Sequence, residues 1–267
     1  MGFGSYDISA ATSRAYTTYS SMSREEVFKQ RSIDPEMNPK GIEFRESRDR
    51  DNEESFPIII ALDETGSMGH IPELLIKNVF PKIMKSIMEV GIPNPQVMFA
   101  GIGDCCYNEE AALQVGEFES GDALMEKWLT NIYLEGRGGG NAHESYPLIW
   151  YFAARHVKTD AFEKRKQKGV LITIGDEPCQ QLLTKEQIKR YIGDNLQDDI
   201  TAKELLEDVK QYFNVYHIHC DGSNTYDFAD TNWEDLLGIN AVVSKSSKGT
   251  DVGDIIPKLV ELSYNNR

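Results

Sequence analysis

Three short segments of the chain gather oxygen donors at spacings that suit a cation. They read Asp63-Glu64-Thr65-Gly66-Ser67-Met68, Gly175-Asp176-Glu177-Pro178, and Glu135-Gly136-Arg137-Gly138-Gly139-Gly140-Asn141-Ala142-His143-Glu144. In a tight turn, the alternate residues Asp63, Thr65 and Ser67 aim their oxygens at one spot, and Gly66 lets the backbone make that turn. Carboxylates and hydroxyls, with little sulfur or imidazole, are hard ligands. They suit Mg²⁺ or Mn²⁺ rather than zinc. Mg²⁺ keeps waters in its octahedron and leaves a place for an oxygen of a substrate or partner. Without a cation, the same residues read as a turn and a helix cap.

The elements that must position these segments follow from periodicity. FPIIIAL at 56–62 and GVLITIG at 169–175 are unbroken apolar runs, the mark of strands covered on both faces. QVMFAGIG at 96–103, NVYHIHC at 214–220 and GINAVVS at 238–244 are further strands. ALQVGEF at 112–118 alternates and reads as a hairpin partner at a sheet edge. Between them lie helical stripes at 71–90, 121–132, 144–157, 184–193, 201–213 and 251–263; Pro72 and Pro147 fall in first turns, and Thr caps open two of the helices. The alternation predicts an α/β fold: a doubly wound, mostly parallel six-stranded sheet with one antiparallel edge strand, Rossmann-like. In such sheets ligands bind beyond the carboxyl ends of the strands, where strand order reverses. Asp63 and Asp176 both follow strands, so both are expected there.

Residues 1–55 read differently. They are rich in Ser, Thr and Tyr at first, carry one short helix at 23–31 with Ser23 as cap, and end in the mixed-charge run FRESRDRDNEES at 44–55. We expect an arm or strap, partly extended, with the main domain over 56–267. The net charge of −15 and the lack of a Lys/Arg cluster exclude a nucleic-acid surface. The basic run KRKQK at 164–168 reads as a solvated helix end. No signal peptide or membrane span is visible. The four cysteines, Cys105, Cys106, Cys179 and Cys220, form no CxxC pair and read as reduced, buried thiols of a cytoplasmic, acidic protein.

FPIIIALDETGSM at 56–68 resembles the first strand and metal motif of von Willebrand factor type A domains, Asp-x-Ser-x-Ser, the core of the metal-ion-dependent adhesion site. Thr65 is a hydroxyl-preserving departure from it. GGGNAHES at 138–145 is similar to the third loop of a branch of that family, and LITIGDEPC at 171–179 to its later strand and aspartate. The resemblance covers roughly 56–263 and comes in the family's order. It implies that Thr65 and Ser67 ligate Mg²⁺ directly, while Asp63 and Asp176 act directly or through waters. Asn141 matches the third-loop ligand, with Glu144 and His143 as weaker candidates. It also implies a binding module rather than an enzyme, in which a partner protein's Asp or Glu completes the octahedron. Intracellular bacterial and viral relatives suggest a MoxR-type AAA+ ATPase as partner.

Two other classes compete. DETGS also looks like the first motif of haloacid dehalogenase-type phosphohydrolases, in which the first Asp attacks phosphorus with Mg²⁺ assisting. Here Thr65 stands where that chemistry needs its acid. A scaffold with an empty site is the third class. His217 and His219, at strand spacing, read as covered core residues, and Trp128, Trp150 and Trp233 as packing residues.

Overall fold

In a computed structural model of the chain, residues 4–50, 53–66, 68, 70–107, 110–136, 143–221, 226–246 and 249–267 are described. The apolar runs form six strands: β1 (Ser55–Asp63), β2 (Asn94–Ile102), β3 (Leu113–Val115), β4 (Gly169–Gly175), β5 (Phe213–Cys220) and β6 (Ala241–Ser244). They lie side by side in the order β3-β2-β1-β4-β5-β6, all parallel except the β2–β3 pair. This is a Rossmann-like α/β sheet. The chain leaves β1 toward one edge and returns to β4 on the other side, so β1 and β4 are neighbours at the reversal. Their register runs from Ile58 opposite Val170 to Leu62 opposite Ile174, which brings Asp63 and Asp176 to the same edge.

Why β1 has no polar face is plain from its two neighbouring layers. Ile58, Ile60 and Leu62 pack among residues of helices His70–Leu74, Phe80–Glu89, Asp122–Thr130 and Val252–Asn265. Ile59 and Ala61 face the opposite core, shared with helices Pro147–Arg155, Lys185–Tyr191 and Ala202–Val209. Thr184 and Thr201 close capping boxes on the last two of these helices.

The helical stripe over 71–90 contains an irregularity that its periodicity hides. His70–Leu74 and Phe80–Glu89 are α-helical, while Leu75–Val79 is a π-turn in which Phe80 N–H donates to the Leu75 carbonyl. Pro81 has no N–H to give and its ring crowds the preceding turn, and a wider turn absorbs both effects.

Residues 4–50 lie on the sheet domain. The Ser/Thr/Tyr-rich start, in which no helix was expected, forms helix Ile8–Thr17, capped by Asp7 through Ala10 N–H at 2.9 Å. Ala11 and Ala15 are its buried residues, too few to register as an apolar stripe. The Ser23-capped helix is shorter than expected, Arg24–Val27. In the mixed-charge run, Arg45–Ser47 pairs in parallel with Val157–Thr159. Its charges are not all solvated: Arg45 pairs with Glu117, Arg48 with Asp160 at 2.9 Å, and Asp49 with Arg165 at 2.8 Å. Arg165 is thus part of a clamp, which corrects the reading of 164–168 as a solvated helix end. Tyr6, Val27, Phe28 and Met37 are buried in the core. No helix among the described residues is long and apolar enough to cross a membrane.

Candidate metal centre at the sheet edge

Asp63 ends β1 and is 1 % exposed; Asp176 follows β4 and is fully buried. Thr65, 4 % exposed, folds back on Asp63. Its N–H and its hydroxyl both donate to Asp63 Oδ1, at 2.9 and 2.6 Å. Asp63 Oδ2 accepts from the hydroxyl of Tyr146 at 3.0 Å. Asp63 thus holds the turn closed, and Tyr146 holds Asp63. Gly175 is required for this arrangement. A Cβ there would sit 1.8 Å from the Tyr146 hydroxyl and 3.0 Å from Asp63 Oδ2. Gly66 likewise approaches the glycine-rich loop, where a Cβ would meet the Gly136 carbonyl oxygen at 3.2 Å.

The loop after β4 is fixed by its neighbours. Asn232 accepts from Cys179 N–H at 2.9 Å and donates to the Cys179 carbonyl at 2.7 Å; Trp233 donates to the Glu177 carbonyl at 3.0 Å. Trp233 therefore does more than pack. Glu144 joins the same loop through its backbone, its N–H donating to Pro178 O at 2.9 Å and its carbonyl accepting from Gln180 N–H at 3.0 Å. Glu64, inside the first motif, turns the other way and accepts from Gln114 of β3. Ser67 and Asn141, two of the expected ligands, lie outside the described residues, as do Gly138 to Gly140. His143 is described, and its ring lies near Asp104 and Cys106 of the loop after β2.

The electrostatics of this edge favour a cation. Burial first, and then Asp176, push the Asp63 carboxyl well above the usual carboxylate range. Glu177 is pushed up to about 8 by burial and by Asp176, Asp63 and Asp104. The Tyr146 hydroxyl is raised far from ionisation by burial and by Asp63, Asp176 and Glu144, so it remains a donor. Among the described residues no Lys or Arg pairs with Asp63 or Glu177. Oxygen donors crowded into a buried, negative corner fit a hard divalent ion. His217 and His219 carry imidazole nitrogens and stand outside this oxygen set. Both are buried and pushed toward neutrality, chiefly by burial; His217 stacks on Trp233 at 3.6 Å, and His219 Nε2 lies 3.1 Å from the Tyr226 carbonyl.

Tyr146 and Asp104 escaped the sequence reading, and Gly175 and Glu177 entered it only as the neighbours of Asp176. One signal was available for Gly175: a glycine ending a buried strand marks a close approach by something else. Nothing local marks Tyr146, which reaches the site across 83 residues of sequence.

No family model matches the chain. No curated protein matches it either. Among solved structures it is similar to the pilus adhesin SpaC from Lactobacillus rhamnosus GG. One structure matches at 13% identity and a TM-score of 0.48, covering 82% of this chain and 32% of the adhesin. A second, in an open conformation, matches at 13% identity and a TM-score of 0.46, covering 82% and 31%. The chain thus spans about a third of the adhesin's length, and a likeness of this degree carries no argument about function.

Proposed function

We propose that the chain is a von Willebrand factor type A-like protein-binding module, not an enzyme, with one Mg²⁺ (or Mn²⁺) held at the sheet edge. The observation that carries this reading is the pair of buried carboxylates, Asp63 and Asp176, at neighbouring strand ends where strand order reverses. Two such charges repel, and a divalent cation between them removes the penalty. Thr65, already turned toward Asp63, supplies a hydroxyl; Ser67 and Asn141 complete the expected set, with Glu144 as a weaker ligand, while the His143 ring lies by Asp104 and Cys106 instead. A bound Mg²⁺ offers an open coordination place to an Asp or Glu of a partner protein.

The chain's own residues then have separable tasks. Asp63 balances charge and closes the turn. Tyr146 fixes the Asp63 carboxylate by donating to it. Asn232 and Trp233 hold the loop that carries Asp176. The partner class suggested by the sequence resemblance is an intracellular AAA+ ATPase of the MoxR type, with the module acting as adaptor or assembly factor in the cytoplasm.

A thermal melt of the chelator-stripped protein with and without millimolar Mg²⁺ tests this, beside Asp63→Ala. Binding to the folded state alone must raise the melting temperature. The expected result is a rise that vanishes in the variant. No rise at saturating Mg²⁺ in the unaltered protein would sink the reading.

A further inference from the structure

We propose that Asp104, Cys106 and His143 form a second cation site, selective for a borderline transition ion of the Zn²⁺ class, beside the carboxylates of the sheet edge. One ligand atom from each residue lies within 4.8 Å of the other two. In a tetrahedral zinc site with bonds of about 2.0–2.3 Å, ligand atoms stand roughly 3.3–3.8 Å apart. A closing shift of about an ångström therefore seats all three on one ion. Carboxylate oxygen, thiolate sulfur and imidazole nitrogen together select zinc-like ions over Mg²⁺. The donor chemistry thus separates this site from the oxygen-only set around Asp63.

Its parts are held before any ion arrives. Asp104 is fully buried, and its Oδ1 accepts from Cys106 N–H at 2.7 Å, which fixes the carboxylate against the cysteine's own backbone. Ser145, two residues after His143, ties the loops together. Its hydroxyl accepts from Cys105 N–H at 3.0 Å and donates to Gln180 Oε1 at 2.7 Å, and its N–H donates to Gly103 O at 3.3 Å. Outer contacts of this kind orient the ligands of metal sites. Cys105, Cys179 and Cys220 are buried, while Cys106 is exposed, which corrects the expectation of four buried thiols and gives an ion a path from solvent. Three protein ligands leave a fourth place for water or for a partner's side chain. An ion here joins the loop after β2 to His143, which follows the glycine-rich segment in sequence.

The test is titration of the reduced, chelator-stripped chain with Co²⁺, followed by Zn²⁺. The expected result is a thiolate-to-cobalt charge-transfer band that saturates at one equivalent and is displaced by Zn²⁺. Cys106→Ser abolishes it, and His143→Ala weakens Co²⁺ binding by more than about tenfold. Cys105→Ser leaves it unchanged. Millimolar Mg²⁺ and Asp63→Ala also leave it unchanged, so this site and the Asp63 site fail independently. Far-ultraviolet circular dichroism checks that each variant is folded. Absence of the band in the unaltered protein, or its survival in folded Cys106→Ser, overturns the proposal.

Discussion

Carboxylates are buried in two regions of this molecule, and the two regions treat them in opposite ways. Along the strap of residues 4–50, several acids meet fixed cations: Arg14 binds Asp122 and Glu126, Arg48 and Lys164 bind Asp160, and Arg165 binds Asp49. Hydrogen bonds and charge from these partners outweigh burial and hold Asp49, Asp122 and Asp160 below the usual carboxylate range. At the sheet edge, burial and neighbouring acids push Asp63 and Glu177 up. The strap is a finished piece of architecture. At the edge, burial and the neighbouring acids leave the Asp63 and Glu177 carboxyls raised, and that electrostatic cost is the physical content of the metal proposal.

The sharpest way to break the comparison is at Gly175. Gly175→Ala drives a Cβ into the Tyr146 hydroxyl, at 1.8 Å. We expect a loss of about 3 kcal/mol, the upper end for overpacking, together with a weakened Mg²⁺ response. Urea unfolding measures the first and melts with Mg²⁺ the second. A variant with full stability would mean that Tyr146 moves freely and does not fix Asp63.

The pH profile separates the two regions in one experiment. An acid whose folded-state pKa is raised stabilises the fold fully below its unfolded value, and that contribution is lost as pH climbs through the folded one. Without metal, stability should therefore decline between about pH 4.5 and about pH 8, the window set by Glu177. The strap acids act in the opposite sense: their stabilisation is present above the ordinary aspartate value of 3.8 and is lost as pH falls through their lowered values. Mg²⁺ at a hundred times its dissociation constant should reverse the alkaline decline and raise the melting temperature by about 5–10 °C. A metal-free profile flat from pH 5 to 8 would contradict the raised carboxyls.

Smaller effects sharpen the contrast. Arg14→Ala leaves Glu126 and Asp122 without their cation, and we expect a loss of about 1.5 kcal/mol with the Mg²⁺ response intact. If the response also fell, strap and edge would be one coupled unit. Lys85→Ala removes an exposed pair with Glu89 at 3.8 Å and should change stability by less than about 0.5 kcal/mol in chemical denaturation.

The fold was legible from the sequence because its strands are buried on both faces. An unbroken run such as GVLITIG at 169–175 carries no solvent-facing residues to blur it, and Gly169–Gly175 is the strand that forms. The antiparallel edge at Leu113–Val115 was legible from the alternation of its sequence, although the polar Gln114 is buried there against Glu64 and the Tyr133 carbonyl. The helix at Ile8–Thr17 was hidden because it buries two alanines rather than a stripe of large side chains. At the edge, Asp63, Thr65 and Asp176 could be read from turns that follow strands. Tyr146 could not, because its role is a single hydroxyl contact between distant segments. The Asp104–Cys106–His143 cluster was invisible for the same reason, its members being brought together only by the crossing of two loops.

The strap also has a consequence for how the molecule is made. Arg45 meets Glu117 72 residues later, and Asp49 meets Arg165 across 116 residues. During synthesis, the partners of this segment emerge in stages, Glu117, Asp122 and Glu126 first and the helix Asp160–Arg165 last. Its attachment is thus a long-range closure that depends on prior folding of β1 and β2, and it belongs among the late steps of folding. A chain released before residue 113 would lack the edge strand whose Val115 N–H donates to the Met37 carbonyl at 2.8 Å, and would leave Met37 on an undocked arm, the kind of transient apolar surface that chaperones recognise.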